Sequence, residues 1–217
     1  MPAKDRSALT LLDALRSGPL LFDGAMGTML HQAGVSFNAC FDALNVSDPH
    51  RIITIHRAYL EAGAQILETN TFGANRYKLA PHGLQGSVEE LNSAGVGLAR
   101  QAIAKSGRPA WVLGSVGPLG VRLAPYGRVP HAEARDAYGE QIAALLKAGA
   151  DGVIIETQVD LQEALLAMEA AHLAGAAAIL VSMTFTADDR TLLGDTPETV
   201  ARQLAAAGAH ALGRQLL

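Results

Sequence analysis

The chain carries a single cysteine, Cys40, in 217 residues. No internal disulfide framework can form, and the composition suits a reducing cytoplasm. Aromatic residues are scarce, at 5% with one tryptophan, so a stacking floor for sugars is poorly supplied. Positive charge is not in excess: 17 Lys and Arg stand against 21 Asp and Glu, with a net charge of −4 and an isoelectric point near 5.9. That balance leaves no electrostatic footprint for nucleic acid. No apolar run approaches the roughly 20 residues that span a bilayer. The first 18 residues hold charges and lack the long apolar core of a secretory signal. Neither nucleic acid nor a membrane is an expected partner, and a cytoplasmic location is expected. The seven histidines are scattered, with no HxH, HExxH or CxxC, so the residues show no metal site by spacing. GxGxxG and a Walker lysine are missing too, which argues against a nucleotide phosphate site.

What is present is apolar and periodic. Hydrophobic residues make up 49% and charged residues 18%, which is enough to bury the core of one domain. The stretch from Tyr59 to Asn75 reads as the end of a helix, then Gly63, a short apolar run, and the polar cluster Glu68, Thr69, Asn70, Thr71. Gly63 suits the left-handed position that closes a helix. The same order recurs from Leu145 to Thr157, ending in Glu156-Thr157, and from Ala171 to Phe185, ending in Ser182-Met183-Thr184. A further copy starts at Leu204. The pattern predicts helices over 7–17 (capped by Ser7), 48–62 (Asp48, then Pro49), 88–105, 131–148, 161–174 and 196–207 (Thr196, then Pro197). Strands are predicted over 20–22, 65–69, 110–113, 152–155, 178–183 and 209–212.

Strict strand–helix alternation gives a parallel sheet. Two architectures fit it, a (β/α)8 barrel and an open doubly wound sheet. Six units fall short of the roughly 250 residues of a full barrel. Polar residues at nearly every strand end still favour the barrel, whose functional groups come from several strand ends.

Three stretches can carry chemistry. Asp23-Gly24-Ala25-Met26-Gly27-Thr28 follows a strand, and its glycines let the backbone present N–H groups to an anion such as a carboxylate; a plain βα turn reads the same way. Glu68 and Glu156 sit at strand ends. They can hold a substrate ammonium, act as a glycosidase pair, or form structural ion pairs. Cys40 reads as a small buried residue rather than a reactive thiol. His50, His56 and His172 fall within predicted helices as exposed or partly packed residues. Arg122 and Tyr126 belong to a loop over 117–130, exposed or at the mouth of a site.

Longer segments go further. LLFDGAMGTML (20–30), AYLEAGAQILETNTFGAN (58–75), GSVGPLG (114–120), GADGVIIET (149–157) and SMTF followed by GDTPE (182–185, 194–198) occur in this order. Together they resemble the homocysteine S-methyltransferase domain, the homocysteine-binding barrel of cobalamin-dependent methionine synthase. That domain also occurs fused to methylenetetrahydrofolate reductase, and VRLAPYGR (121–128) resembles the fused bacterial type most. The resemblance implies a TIM (β/α)8-type barrel, here truncated after about six units, with 1–217 as one homocysteine-binding domain incomplete at its C-terminus. It implies an enzyme that makes methionine by methylating homocysteine, whose thiolate sits on zinc. The methyl donor would be methylcobalamin, a methylated folate or a sulfonium compound, and the intact gene would add a cobalamin or reductase module. By the same resemblance Asp23, Gly24 and Ala25 contact the amino acid's polar end, Glu156 binds its ammonium, and Thr69 lies near the substrate. Glu68, Asn70, Thr71 and Ser115 are further pocket positions; no catalytic residue or metal ligand is assigned.

The chain departs from the family at its end. The family's zinc ligands are a cysteine in a G-x-N-C motif after the sixth strand and an adjacent cysteine pair near the end of the barrel. Here Gly213 is followed by Arg214-Gln215-Leu216-Leu217, and Cys40 lies elsewhere. This polypeptide is therefore expected not to form that zinc site. One extra C in GGC GCC AAC TGC would turn Gly-Ala-Asn-Cys into Gly-Arg-Gln-Leu, so a frameshift is expected; resequencing past codon 205 without a family-like frame would sink it. The alternative is a catalytically inactive fragment or amino-acid-binding remnant. An unclosed barrel also exposes sheet edges, so association or aggregation is expected.

Overall fold

The computed structural model describes residues 9–216. In chain order the elements are α1 (Leu11–Ser17), α2 (Met26–Gln32), α3 (Leu44–Ser47), α4 (Pro49–Ala62), β1 (Ile66–Glu68), α5 (Arg76–Leu79) with a 3-10 turn (Ala80–His82), α6 (Val88–Ser106), β2 (Trp111–Val116), α7 (His131–Lys147), β3 (Gly152–Gln158), α8 (Leu161–Leu173), β4 (Ile179–Phe185), α9 (Pro197–Ala206) and β5 (Ala211–Leu216). Among the described residues no helix is long and apolar enough to cross a membrane.

Local chemistry sets the helix ends. The Asp48 side chain accepts from the Arg51 N–H ahead of Pro49, and Thr196 Oγ1 accepts from the Thr199 N–H ahead of Pro197. Both pairs satisfy a first-turn donor and spend no helical N–H on the proline. Gly63 closes α4 with φ +108, where a Cβ would be strained. The expected Ser7 cap lies outside the described residues; α1 is capped by Thr10, which accepts from the Asp13 N–H. The short α2, α3 and α5 escape a periodicity reading because four to seven residues span too few turns to show one.

The five strands are parallel and lie in sequence order, β1-β2-β3-β4-β5. An open doubly wound sheet reverses its strand order at a switch point, and a barrel wall does not. The described residues form a curled parallel half-barrel, with helices on its outer face. Expected strand 20–22 is reduced to one parallel bridge, Phe22 to Ile66. Pro19 supplies no N–H and Gly24 follows at once, so the ladder stops after the Leu21 carbonyl accepts from Gln65 and Ile66 and Asp23 donates to Ile66. The segment still occupies the barrel position before β1. Expected strand 209–212 begins two residues later and runs through Arg214 and Gln215, which pair with Met183 and Thr184.

The core has two layers. Outward-facing Leu67, Val112, Val153, Ile155 and Val181 meet Tyr138, Ile142, Leu145, Ala167 and Met168 of α7 and α8. Inward-facing Ile66, Trp111, Leu113, Ile154 and Leu180 meet Leu11 and Ala14 of α1. That helix seals one end of the barrel interior and leaves the other end, where the strands finish, open for a site.

Candidate functional site

The carboxyl ends of the strands surround a cavity of about 1040 Å³. Its wall takes Asp23, Gly24 and Ala25 from the turn after the bridged segment, Glu68, Thr69 and Asn70 from the end of β1, Ser115 from β2, and Glu156 and Thr157 from β3. Both Glu-Thr pairs thus face one space, because parallel strands in register deliver their last residues to the same edge.

Three carboxylates dominate it. The Asp23 side chain is 3% exposed, and its oxygens accept from the Glu68 N–H at 3.1 and 3.2 Å. Burial pushes its pKa up to about 7, against the pull of that N–H and with a further push from Glu156. Burial also raises Glu68, helped by Glu156 and Asp23. Glu156 is raised by burial and held back by hydroxyls, chiefly Ser115, whose Oγ donates to Oε1 at 2.5 Å. Three desolvated carboxyls in mutual range share protons rather than all ionise. An arriving cation removes that penalty.

The backbone at Glu156 is strained. Thr157 has φ +57, an outlier for a β-branched residue, and the β3–β4 register shifts between Ile155 and Gln158. The distortion lets two successive side chains, Glu156 and Thr157, line the cavity where a regular strand would send one outward.

Not every expected pocket residue reaches the ligand space. Thr71 is fully buried, donates to the Ser115 carbonyl at 2.8 Å and meets Thr69 Oγ1 at 2.6 Å. It lies outside the cavity wall and ties the end of β1 to β2, which corrects its expected place in the pocket. Asn70 reaches the wall, but its amide donates to the Phe41 carbonyl and to Asn45 Oδ1, so the side chain anchors the loop before α3. Thr69 Oγ1 accepts from the Ser115 N–H at 3.0 Å and faces the cavity. Arg122 and Tyr126 are exposed and away from it. His50 and His172 are exposed, as expected.

His56 departs from expectation. It is fully buried on α4, with neither ring nitrogen partnered among the described residues. Nδ1 lies 4.0 Å from Asp23 Oδ2, and burial pulls its pKa down to about 4. It stands behind Asp23 as a neutral imidazole. Cys40 is half-buried rather than buried, lines the cavity, and lies 3.9 Å from Asp42 Oδ2. Burial raises its pKa, and Asp42 adds to the rise, which keeps it a thiol. Sequence reasoning passed over Lys78, Asp42 and His82, which also line the cavity. Their segments carry no strand-end signature.

Zinc asks for a set of thiolate, imidazole or carboxylate donors aimed at one point. Among the described residues no group of three or more His, Cys, Asp or Glu side chains is placed to hold a metal ion. The four cavity carboxyls of Asp23, Asp42, Glu68 and Glu156 supply hard oxygens and the only thiol is tied to Asp42, so the residues present do not fit a thiolate-rich zinc site.

Known proteins share this sequence family and this fold. The family model described as homocysteine S-methyltransferase matches residues 20–214. The chain is 39% identical over 160 residues to methionine synthase of Mycobacterium tuberculosis and 38% identical to that of Mycobacterium leprae. Each match covers 70% of this chain, which spans 13% of the length of those relatives. The structure superposes on the homocysteine methyltransferase MmuM from Escherichia coli in its metallated form with a TM-score of 0.82 at 28% identity, covering 94% of this chain and 77% of that one. The apo form of that enzyme gives 0.72 at the same identity and the same coverage of this chain. With a match that runs from the bridged segment before β1 into β5, the chain belongs to the homocysteine S-methyltransferase family.

Proposed function

We propose that this chain is the homocysteine-binding part of an S-methyltransferase, with residues 1–217 forming a single substrate domain. The observation that carries the proposal is the buried cluster of Glu156, Glu68 and Asp23 at the strand ends of a chain of this family. Glu156 takes the substrate ammonium, positioned by the Ser115 hydroxyl. Asp23, Gly24 and Ala25 contact the polar end of the amino acid, and Thr69 lines its path. Calorimetric titration with L-homocysteine tests the reading directly; absence of binding by the folded protein would refute it.

The cluster makes the reading pH-sensitive. The folded-state pKa of Asp23 is raised from 3.8 to about 7, so the native state holds a proton that the unfolded chain releases. Its contribution to stability is fully present below about pH 4 and lost as pH rises through about 7. Bound ammonium favours the ionised carboxyls, so homocysteine should bind more tightly, with less proton release, at pH 8 than at pH 6. Calorimetry in two buffers of different ionisation enthalpy reads both, and a flat profile would contradict it.

In the complete enzyme the bound thiolate would receive a methyl group from methylcobalamin, a methylated folate or a sulfonium compound, giving methionine. The much greater length of the relatives supports a longer protein, in which a cobalamin or reductase module would be the donor partner, and a cytoplasmic setting suits the lone thiol. A second reading follows from the poor fit to zinc: a remnant that binds the amino acid without methylating it. Zinc content and methyl transfer separate the two. The outer edge of β5 has no neighbour among the described residues, and Leu212 on it is exposed. The 217-residue polypeptide should therefore associate through that edge. Light scattering after gel filtration would show it, and a monomer with a sharp cooperative melt would rule it out.

A further inference from the structure

We propose that Lys78 is the cation that binds the α-carboxylate of the amino acid in this cavity. The inference rests on the proposed homocysteine reading and adds the charged partner that the α-carboxylate still lacks there. Among the described residues of the cavity wall, Lys78 is the only lysine or arginine, against the carboxylates of Asp23, Asp42, Glu68 and Glu156. An α-amino acid carries both charges on neighbours of a single carbon, so a wall of carboxylates alone would repel half of it. The turn at Gly24 and Ala25 offers only backbone dipoles, and α2 beyond it has just seven residues.

Lys78 is built to present its ammonium. Asn75 Oδ1 accepts from its backbone N–H at 3.1 Å at the start of α5, which fixes where the side chain departs. The stem runs over two glycines. A Cβ on Gly120 would lie 3.2 Å from Lys78 Cε and Cγ, and one on Gly73 would lie 3.5 Å from Cδ. Nζ stands 4.3 Å from the centre of the Phe72 ring.

The ammonium is nonetheless unspent. Among the described residues no carboxylate lies within 4.0 Å of Nζ, since every ion pair at that range involves other cations. The nearby acids are already engaged. Asp42 accepts from the Gly73 N–H at 2.9 Å, Glu163 from Leu119 and Tyr138, and Glu156 from Ser115. A lysine has three N–H donors, and one aromatic face satisfies none of them as a hydrogen bond would. Its charge still acts on Glu156, so the cation and the proposed ammonium site share one electrostatic neighbourhood. An α-amino acid held between them, with its carboxylate toward Lys78 and its ammonium toward Glu156, completes both.

The test crosses two ligands with two proteins. Calorimetry on the full chain compares L-homocysteine with 3-aminopropane-1-thiol, which keeps the amine and thiol and lacks the carboxylate. Lys78→Met keeps most of the stem; Lys78→Gln serves as a second variant, and thermal melts confirm that both fold. The expected result is a loss of about 10- to 100-fold in homocysteine affinity, the size of one charge-assisted hydrogen bond. Affinity for the decarboxylated ligand should stay within about twofold. Equal losses for both ligands, or an unchanged homocysteine affinity, would overturn the assignment of Lys78 alone. Failure of the unaltered protein to bind either ligand would overturn the homocysteine reading, and the lysine assignment with it.

Discussion

Glu156→Gln should weaken homocysteine binding by about 30- to 1000-fold, the cost of removing one partner from a buried charge pair. The change keeps the shape of the side chain and an oxygen to accept from Ser115, so geometry survives and only the countercharge is lost. The same variant should be slightly more stable than the parent at pH 8. There burial disfavours an ionised Glu156, and its charge pushes the neighbouring Glu68 to hold a proton; a neutral amide removes both costs. Opposite signs for binding and stability are the signature of a residue kept for a ligand. Calorimetry and urea denaturation measure the two. Unchanged affinity, or a loss of stability in step with the loss of binding, would show that Glu156 serves the fold.

Glu163→Ala should destabilise the protein by about 3 kcal/mol, the sum of two orphaned buried donors and the space left behind. Glu163 is 5% exposed on α8. Its Oε1 accepts from the Leu119 N–H and from the hydroxyl of the fully buried Tyr138, each at 2.8 Å. One carboxylate oxygen thus joins α7, α8 and the loop after β2. Glu163→Gln keeps an acceptor and should cost about 1 kcal/mol or less. Urea midpoints decide the matter: equal losses for the two variants would mean that the hydrogen bonds contribute nothing. The effect reaches the site as well. Gly117 in that loop donates to the Phe72 carbonyl and packs on the Phe72 ring, and Gly120 carries the Lys78 stem. Loosening Leu119 should blur the ammonium's position and lower ligand affinity along with stability.

Local rules were enough for part of this. Asp48-Pro49, Thr196-Pro197 and Gly63 act within one helical turn, so their roles could be read from neighbours in the chain. Glu68 and Glu156 were legible as cavity residues because a parallel strand delivers its last side chains to the carboxyl edge. Family motifs spread from 20 to 198 named the domain before any coordinate did.

Other features depend on partners far away in sequence. Whether the sheet is a barrel wall or a doubly wound layer is settled by strand order, which no single segment encodes. Thr71 left the pocket because its hydroxyl meets the Ser115 carbonyl 44 residues on. His56 became a buried neutral ring because α4 packs behind Asp23, 33 residues earlier in the chain. Lys78, in a segment without any motif, faces the ligand space only because Gly73 and Gly120 close around its stem. Amino-acid order alone determined the longer elements, the edge where the cavity opens and the family. Burial and long-range pairing, which set desolvation and therefore charge, decided which of the candidate side chains can meet a substrate.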